Sequence, residues 1–404
     1  MTDFYDKLLR ASLPLALCLS MSACGNDDPE PDPEPTPPAV ETPARSTLLY
    51  AVNNSSLKWD FAEDCKEIEE ALKLRPDANS EMLIYRQDDD TKCGLYSLEQ
   101  DVDGNFVYVL LKEYPRDKTS THPDRIAEVI DDALAVSPGA VHDLFFWGHG
   151  TSWTPAFDDH NVAKSCGPKR AYGGEYTGNG REVDWTDLIE LADAIPDGRF
   201  ETIWFDCCYM SSIEVIYELR NKCEWFVGYP TEVWQDGLSY DKVLPFMLGE
   251  TVDRLAAAKA HFDFYNDSDD PVTVSVIDMS KLEPVADAVK SILASGSYRP
   301  SRGTLVNFGR QSEAYYDMVQ FYGGICDFYG LNDLTSALKD AMSEMVPYHA
   351  ESANNFNRKP WLRQDISGVS CHYFADDASP KSEYYKRLAW YARVYAQSGV
   401  KAAR

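Results

Sequence analysis

A thiol and an imidazole, the two groups that together make a covalent hydrolase, each stand directly behind an apolar run in this sequence. Phe145-Phe146-Trp147 leads into Gly148-His149-Gly150, and Trp204-Phe205 leads into Asp206-Cys207-Cys208. A neutral thiol is a weak nucleophile, because near its ordinary pKa of about 8.5 only a few per cent is thiolate at neutral pH. An imidazole within reach raises that fraction and can later hand the proton to the leaving group. Cys208 also precedes a helix expected to open at Ser211 and Ser212, whose unpaired amide N–H groups favour negative charge. The backbone N–H groups of Gly150 and Cys208 are candidates for an oxyanion hole, since a glycine after the histidine lets a peptide approach closely.

Strand parity selects between the adjacent cysteines. If the strand continues through this segment, Asp206 and Cys208 point to one side and Cys207 to the other. That makes Cys208 the nucleophile and Cys207 a packed core thiol. A buried carboxylate beside the nucleophile suits an Arg or Lys side chain of a substrate, held by a charge-assisted hydrogen bond.

These residues need elements that bring them together. Ser46–Val52 reads as a strand, Phe61–Leu74 as a helix, and Met82–Arg86 as a second strand. A hairpin is expected from Gly94–Leu98 and Phe106–Tyr114, and a helix from Pro123, ending before Pro138-Gly139. Val141–Trp147 and Phe200–Phe205 read as strands covered on both faces, separated by a polar loop and a helix over Trp185–Ile195. After the helix at Ser211 a short strand is expected at Trp225–Gly228. The second half reads as more helical: Tyr240–Leu248, Val252–Phe264, a strand Val272–Ile277, then helices over Leu282–Leu293, Asp317–Phe328, Leu331–Met345 and Tyr384–Tyr395, with an apolar piece near Val369–Phe374. Strands alternating with helices imply a mostly parallel, doubly wound α/β sheet with helices on both faces. In such a sheet, loops at the carboxyl ends of the strands converge, so His149 and Cys208 can meet although they are far apart in sequence.

The ends carry different information. Lys7 and Arg10 precede an apolar run over Leu13–Leu19 and then Met21-Ser22-Ala23-Cys24, which resembles a bacterial lipoprotein signal over residues 1–23 with lipidation at Cys24. Residues 24–44 are an acidic, Pro-rich tether, and acidic residues directly behind the cysteine resemble the export signal of surface lipoproteins in Bacteroidetes. Outer-membrane or cell-surface anchoring by lipid alone is therefore expected. Residues 45–250 are expected to hold the catalytic core, and 251–404 to complete or flank it. A formal net charge of −28 repels nucleic acid phosphates and favours basic peptides as partners. The eight cysteines after Cys24 show no CxxC pair, so zinc is not expected, and their pairing cannot be read from the sequence. No cofactor is expected, with calcium at Asp88-Asp89-Asp90 or Asp267–Asp270 as the alternative to plain solvated turns.

The segments around His149 (Phe145–Trp153) and Cys208 (Trp204–Val215) resemble the His-Gly and Asp-Ala-Cys-Leu-Met motifs of the clostripain family of cysteine peptidases. Weaker likeness runs through Val319-Gln320-Phe321, Cys326-Asp327-Phe328, Ser367-Gly368-Val369-Ser370, Tyr384-Tyr385-Lys386 and Ala389-Trp390-Tyr391. The resemblance implies a caspase-like sheet, a His149–Cys208 dyad, Asp206 at the base of the specificity pocket, and cleavage after Arg or Lys. It also implies maturation by a cut between the histidine and the cysteine, where Lys169-Arg170 is the best self-cleavage site. The sequence departs from the pattern at Cys207 for a small residue, at Tyr209 for Leu, and at Thr151-Ser152 where a second glycine is common. The rival reading is a surface binding protein that keeps the fold without activity.

Overall fold

The computed structural model describes residues 42–396 apart from 90, 155–170, 177–181, 297–299, 311–313 and 375–378. Cys24, Lys169 and Arg170 lie outside the described residues. The first elements are β1 (Arg45–Ala51), α1 (Lys58–Leu74), β2 (Ser80–Gln87), β3 (Lys92–Gln100), β4 (Phe106–Pro115), α2 (Pro123–Val136) and β5 (Val141–Trp147). They are followed by β6 (His149–Gly150), β7 (Tyr172–Tyr176), β8 (Glu182–Thr186), α3 (Leu188–Ala194), β9 (Phe200–Asp206), α4 (Ile213–Glu218) and β10 (Cys223–Gly228). The remainder comprises α5 (Tyr240–Val243), α6 (Arg254–Asp267), β11 (Thr273–Asp278), α7 (Leu282–Ser295), β12 (Tyr315–Asp317), α8 (Met318–Tyr329), α9 (Asn332–Met345), β13 (Tyr348–Glu351), β14 (Ser370–His372) and α10 (Pro380–Tyr385).

Among the described residues nine strands form the main sheet, in the order β13-β11-β10-β9-β5-β1-β2-β3-β4. The five from β10 to β2 are mutually parallel, while the β3–β4 hairpin on one edge and β11 with β13 on the other run antiparallel. The second half of the chain therefore extends the first sheet, and Pro43–Arg404 is one compact unit. Side-chain alternation divides the core in two. Leu48, Tyr50, Leu144, Phe146, Ile203, Phe205 and Cys207 pack on one face, and Leu49, Ala51, Phe145, Trp147 and Trp204 on the other. Both faces are apolar because helices cover both, α2, α3 and α7 on the first and α1, α5 and α6 on the second. Helix α2 shows how the sequence writes this: Pro123 opens it, His122 accepts a hydrogen bond from the Asp124 N–H at 3.1 Å, and Ile126, Val129, Ile130 and Ala133 are buried at helical spacing.

Several sequence expectations need correction. The expected polar loop before the second buried strand contains β7 and β8, which join β6 in a small antiparallel sheet. The helix expected from Trp185 starts only at Leu188, because Trp185 and Thr186 complete β8 and Asp187 caps the helix through the Glu190 N–H at 2.8 Å. The Tyr240 helix stops at Val243, since Pro245 has no N–H to continue it, and Leu244–Phe246 tightens to a 3-10 turn. The last expected helix is two pieces, α10 and a π-helical turn over Tyr391–Tyr395. The apolar piece near Val369 is a strand, β14, paired with β12.

Candidate active site

The strand order places β1 and β5 side by side with their crossovers leaving in opposite directions, so a crevice must open beyond their carboxyl ends. Ala51, Trp147 and Asp206 are level in register across β1, β5 and β9. The loops that follow these strands and β10 surround a cavity of about 210 Å³, whose lining includes Leu57, His149, Asp206, Cys208, Val233 and Trp234. His149, Asp206 and Cys208, three residues singled out in the sequence, thus lie along one cavity. The strand ends at Asp206 and does not run on through Cys208 as the parity argument assumed, yet the Cys207 thiol lies 3.5 Å from the Phe146 carbonyl within the opposite core face.

Gly150 packs on the backbone of Cys208. A Cβ there would fall inside the contact distance of the Cys208 carbonyl oxygen and 2.9 Å from Cys207 Cβ. Only glycine lets β6 run this close. Two residues directly downstream adopt left-handed backbone, Ser152 at φ 60° and Tyr209 at φ 62°. For a side-chain-bearing residue this conformation costs roughly 1–2 kcal/mol, and strain of this kind gathers at functional sites. The Ser152 hydroxyl lies 2.7 Å from that of Ser212, so it ties the histidine loop to the cap of α4.

The thiol differs from the sequence expectation. Its sulfur accepts a hydrogen bond from the Val233 N–H at 3.3 Å, and its proton faces the Val233 carbonyl at 3.8 Å. Burial pushes the Cys208 thiol up to about 12, with the Val233 N–H opposing that rise. The helix that was expected to favour the thiolate is only six residues long, and the Ser212 side chain already takes the Val215 N–H. Desolvation outweighs it.

The cavity floor is acidic. Asp206 is 4% exposed; its Oδ2 accepts from the Tyr240 hydroxyl at 3.1 Å, and the Leu238 N–H also serves the carboxylate. Burial still holds its carboxyl above the usual range. Beneath it, Asp64 of α1 accepts from the Trp147 indole N–H at 2.7 Å and is pushed up by burial and then by the Asp206 charge. Glu67, which accepts from the Tyr240 N–H at 2.9 Å, is raised to about 7, first by burial and then by Asp241. Gly237, at φ 64°, is held to glycine because a Cβ would come within 2.8 Å of Asp206 Oδ2. Buried carboxylates crowded in this way are relieved by an entering cation.

Sequence reasoning missed the loop Tyr229–Gly237, Asp64, and Ser56, whose Oγ lies 2.9 Å from His149 Nε2. The signal for the loop was available, since it follows the expected strand Trp225–Gly228 on the same sheet edge. Asp64 and Ser56 carried none, because a helix carboxylate and a turn hydroxyl are ordinary in isolation. Among the described residues no group of three or more His, Cys, Asp or Glu side chains could hold a metal ion, and all seven described cysteines are free thiols. No helix of the described residues is long and apolar enough to cross a membrane.

A parallel sheet that delivers a thiol, an imidazole and a buried carboxylate to one cavity defines a caspase-like cysteine hydrolase. The sequence pattern of the clostripain family matches residues 49–367, and the chain belongs to that family of cysteine peptidases. Among solved structures it is similar to a secreted cysteine protease from Bacteroides thetaiotaomicron in complex with an irreversible peptide inhibitor, at 24% identity and a TM-score of 0.73, over 87% of this chain and 99% of the other. It is equally similar in fold to an inactive zymogen protease from Parabacteroides distasonis, at 21% identity and a TM-score of 0.73, over 88% of this chain and 99% of that one. At these identities the likeness establishes the shared fold. No curated protein matches the chain.

Proposed function

We propose that the protein is an endopeptidase that cleaves after Arg or Lys, with Cys208 as nucleophile and His149 as general acid and base. The observation that carries this reading is the convergence of Cys208, His149 and the buried Asp206 on one cavity. His149 takes the thiol proton as sulfur attacks the scissile carbonyl. The N–H groups of Gly150 and Cys208 receive the oxyanion, His149 returns the proton to the departing amine, and water then opens the thioester by the same route in reverse. Asp206 faces the cationic side chain before the scissile bond. Physiological substrates would be proteins or peptides presenting Arg or Lys.

The test is a panel of fluorogenic peptides differing only in the residue before the scissile bond, given to wild type, Cys208→Ala and Asp206→Asn. Cys208→Ala should be inactive, and Asp206→Asn should lose kcat/KM on Arg and Lys peptides while neutral peptides lose less. Equal losses on both classes would assign Asp206 a structural role.

Two further readings accompany this one. A thiol raised by burial and contacted by Val233 suits a single chain that is latent until a cut at Lys169 or Arg170, made by the enzyme itself. Mass spectrometry of wild type beside Cys208→Ala tests it: a new end in both, or in neither despite full activity, refutes self-maturation. Anchoring through lipidated Cys24 predicts that Cys24→Ser moves the protein from the membrane fraction to the soluble one, and an unchanged distribution refutes it.

A further inference from the structure

The cavity holds two carboxylates of different kinds. Asp206 on its floor is buried, whereas the Glu232 side chain on its wall is 29% exposed and open to an incoming group. Glu232 also stands close to the sulfur of Cys208. Burial leads in raising that thiol, and the Glu232 charge adds to the rise. The segment that carries Glu232 is tied down on both sides. The Thr231 carbonyl accepts from the Tyr209 N–H at 2.7 Å, Thr231 Oγ1 lies 2.6 Å from Thr273 Oγ1 of β11, and the Trp234 indole N–H donates to the Pro271 carbonyl at 2.8 Å. A carboxylate on such a frame is in place before a substrate arrives. It also carries a guanidinium from the chain itself. Arg310, in the segment ahead of β12, puts Nη1 3.1 Å from Glu232 Oε2, and its carbonyl accepts from Asn357 Nδ2 at 3.1 Å. The Arg310 side chain is 47% exposed, and an ion pair this open to water is weak, so a second cation can displace it.

We propose that Glu232 is a specificity-determining residue for a second basic side chain, the one immediately before the Arg or Lys cleaved after, and that Arg310 is the internal cation which this side chain displaces. This rests on the reading of Cys208, His149 and Asp206 given above. The two carboxylates lie on floor and wall of one cavity, so each takes a cation of its own. The first cation goes down to Asp206. In an extended peptide the residue before it lies about 3.3 Å back and turns its side chain away from the floor, so successive side chains meet floor and wall. The exchange conserves charge, because a substrate ammonium or guanidinium replaces the Arg310 guanidinium, which returns to solvent. Lys169-Arg170 presents such a pair in the chain's own sequence.

The test measures kcat/KM on two reporter peptides, Gly-Pro-Lys-Arg, which repeats residues 167–170, and Gly-Pro-Ala-Arg, with full-chain wild type, Glu232→Gln, Glu232→Lys, Arg310→Ala and Cys208→Ala. The readout is the ratio between the peptides, since any change in thiol reactivity acts on both alike. Wild type should favour Lys-Arg by about fivefold, the upper range for an exposed ion pair. Raised salt should shrink that preference by screening it. Glu232→Gln, which keeps the shape and loses the charge, should bring the ratio to within about twofold of one. Glu232→Lys should invert it, because like charges in contact repel. Arg310→Ala should raise it about two- to threefold above wild type, as the internal competitor is gone. A wild-type ratio near one, or a preference for Lys-Arg that survives in both Glu232 variants, overturns the role of Glu232. An Arg310→Ala ratio at or below that of wild type overturns the displacement of Arg310. Cleavage by Cys208→Ala, or no cleavage of either peptide by wild type, instead sinks the function on which the proposal rests.

Discussion

Burial of the Cys208 sulfur has a kinetic consequence that can be worked through. With its thiol pushed up to about 12, the single chain at pH 7.5 holds far less thiolate at this position than a free cysteine of pKa about 8.5, by roughly three thousandfold. The more basic thiolate is also more nucleophilic, and a Brønsted slope of roughly 0.4–0.5 over that interval returns about fortyfold. Alkylation of Cys208 by iodoacetamide in the uncut chain should therefore run about a hundredfold slower than that of a free cysteine. Because the group's pKa is raised, the rate should climb about tenfold per pH unit through the neutral range, with no plateau until pH nears 12.

The assay is a labelling time course read at peptide level by mass spectrometry, with the intact mass showing that the chain is uncut. The described cysteines other than Cys208 are buried and serve as slow internal references. Peptide hydrolysis by matured protein should coincide with labelling at least tenfold faster, if the move to the active state takes Val233 off the sulfur. A rate at or above that of free cysteine with a plateau below pH 7 would show a preformed thiolate–imidazolium pair. The balance of desolvation over the Val233 N–H would then be wrong.

Gly150→Ala should cost about 1–3 kcal/mol of stability and at least about a hundredfold in kcat, because the new methyl meets the Cys208 carbonyl and displaces β6; melting and peptide turnover check both. Cys207→Ala should cost about 1 kcal/mol and leave turnover within a few-fold, since its thiol faces the core by the Phe146 carbonyl; an inactive Cys207→Ala beside an active Cys208→Ala would reverse the assignment. Ser152→Gly should change stability by less than about 1 kcal/mol, as relief of the positive φ offsets loss of the Ser212 hydrogen bond, and thermal unfolding reads the balance directly.

The legible part of this protein was the part where one physical signal acts alone. Val141–Trp147 and Phe200–Phe205 are apolar on both faces because both faces are covered, and that reading also places His149 and the Asp206–Cys208 segment at strand ends. The small sheet of β6, β7 and β8 was invisible for the opposite reason. Tyr172-Gly173-Gly174-Glu175-Tyr176 carries two glycines and a carboxylate, a composition that argues for a loop. Its strand is held from outside. Glu175 is buried against Arg116 and takes the Ser120 N–H at 2.6 Å, Tyr172 gives its hydroxyl proton to the Tyr50 and Trp147 carbonyls, and Gly174 must be glycine because His149 and Trp185 press against it. Such partners lie distant in sequence, and no local period announces them.

The same contrast holds within the site. Asp206 and Cys208 were chosen by parity on the assumption of one continuous strand, a relation that needs no knowledge of the rest of the chain, although β9 stops at Asp206. The state of the thiol needed that knowledge, because a helix amino terminus was visible in sequence and the contact of the loop's backbone with the sulfur was not. Val233 belongs to the segment after β10, which carries no pattern of its own, and yet its backbone decides what surrounds the Cys208 sulfur. Where a site is assembled from strand ends, the sequence can name the reacting groups, but their reactivity is set by whichever neighbouring loop removes water from them. In this protein that loop also lines the acidic cavity through Trp234 and Gly237. Any motion that lifts Val233 from Cys208 must therefore also move the cavity wall that Trp234 and Gly237 form beside Asp206.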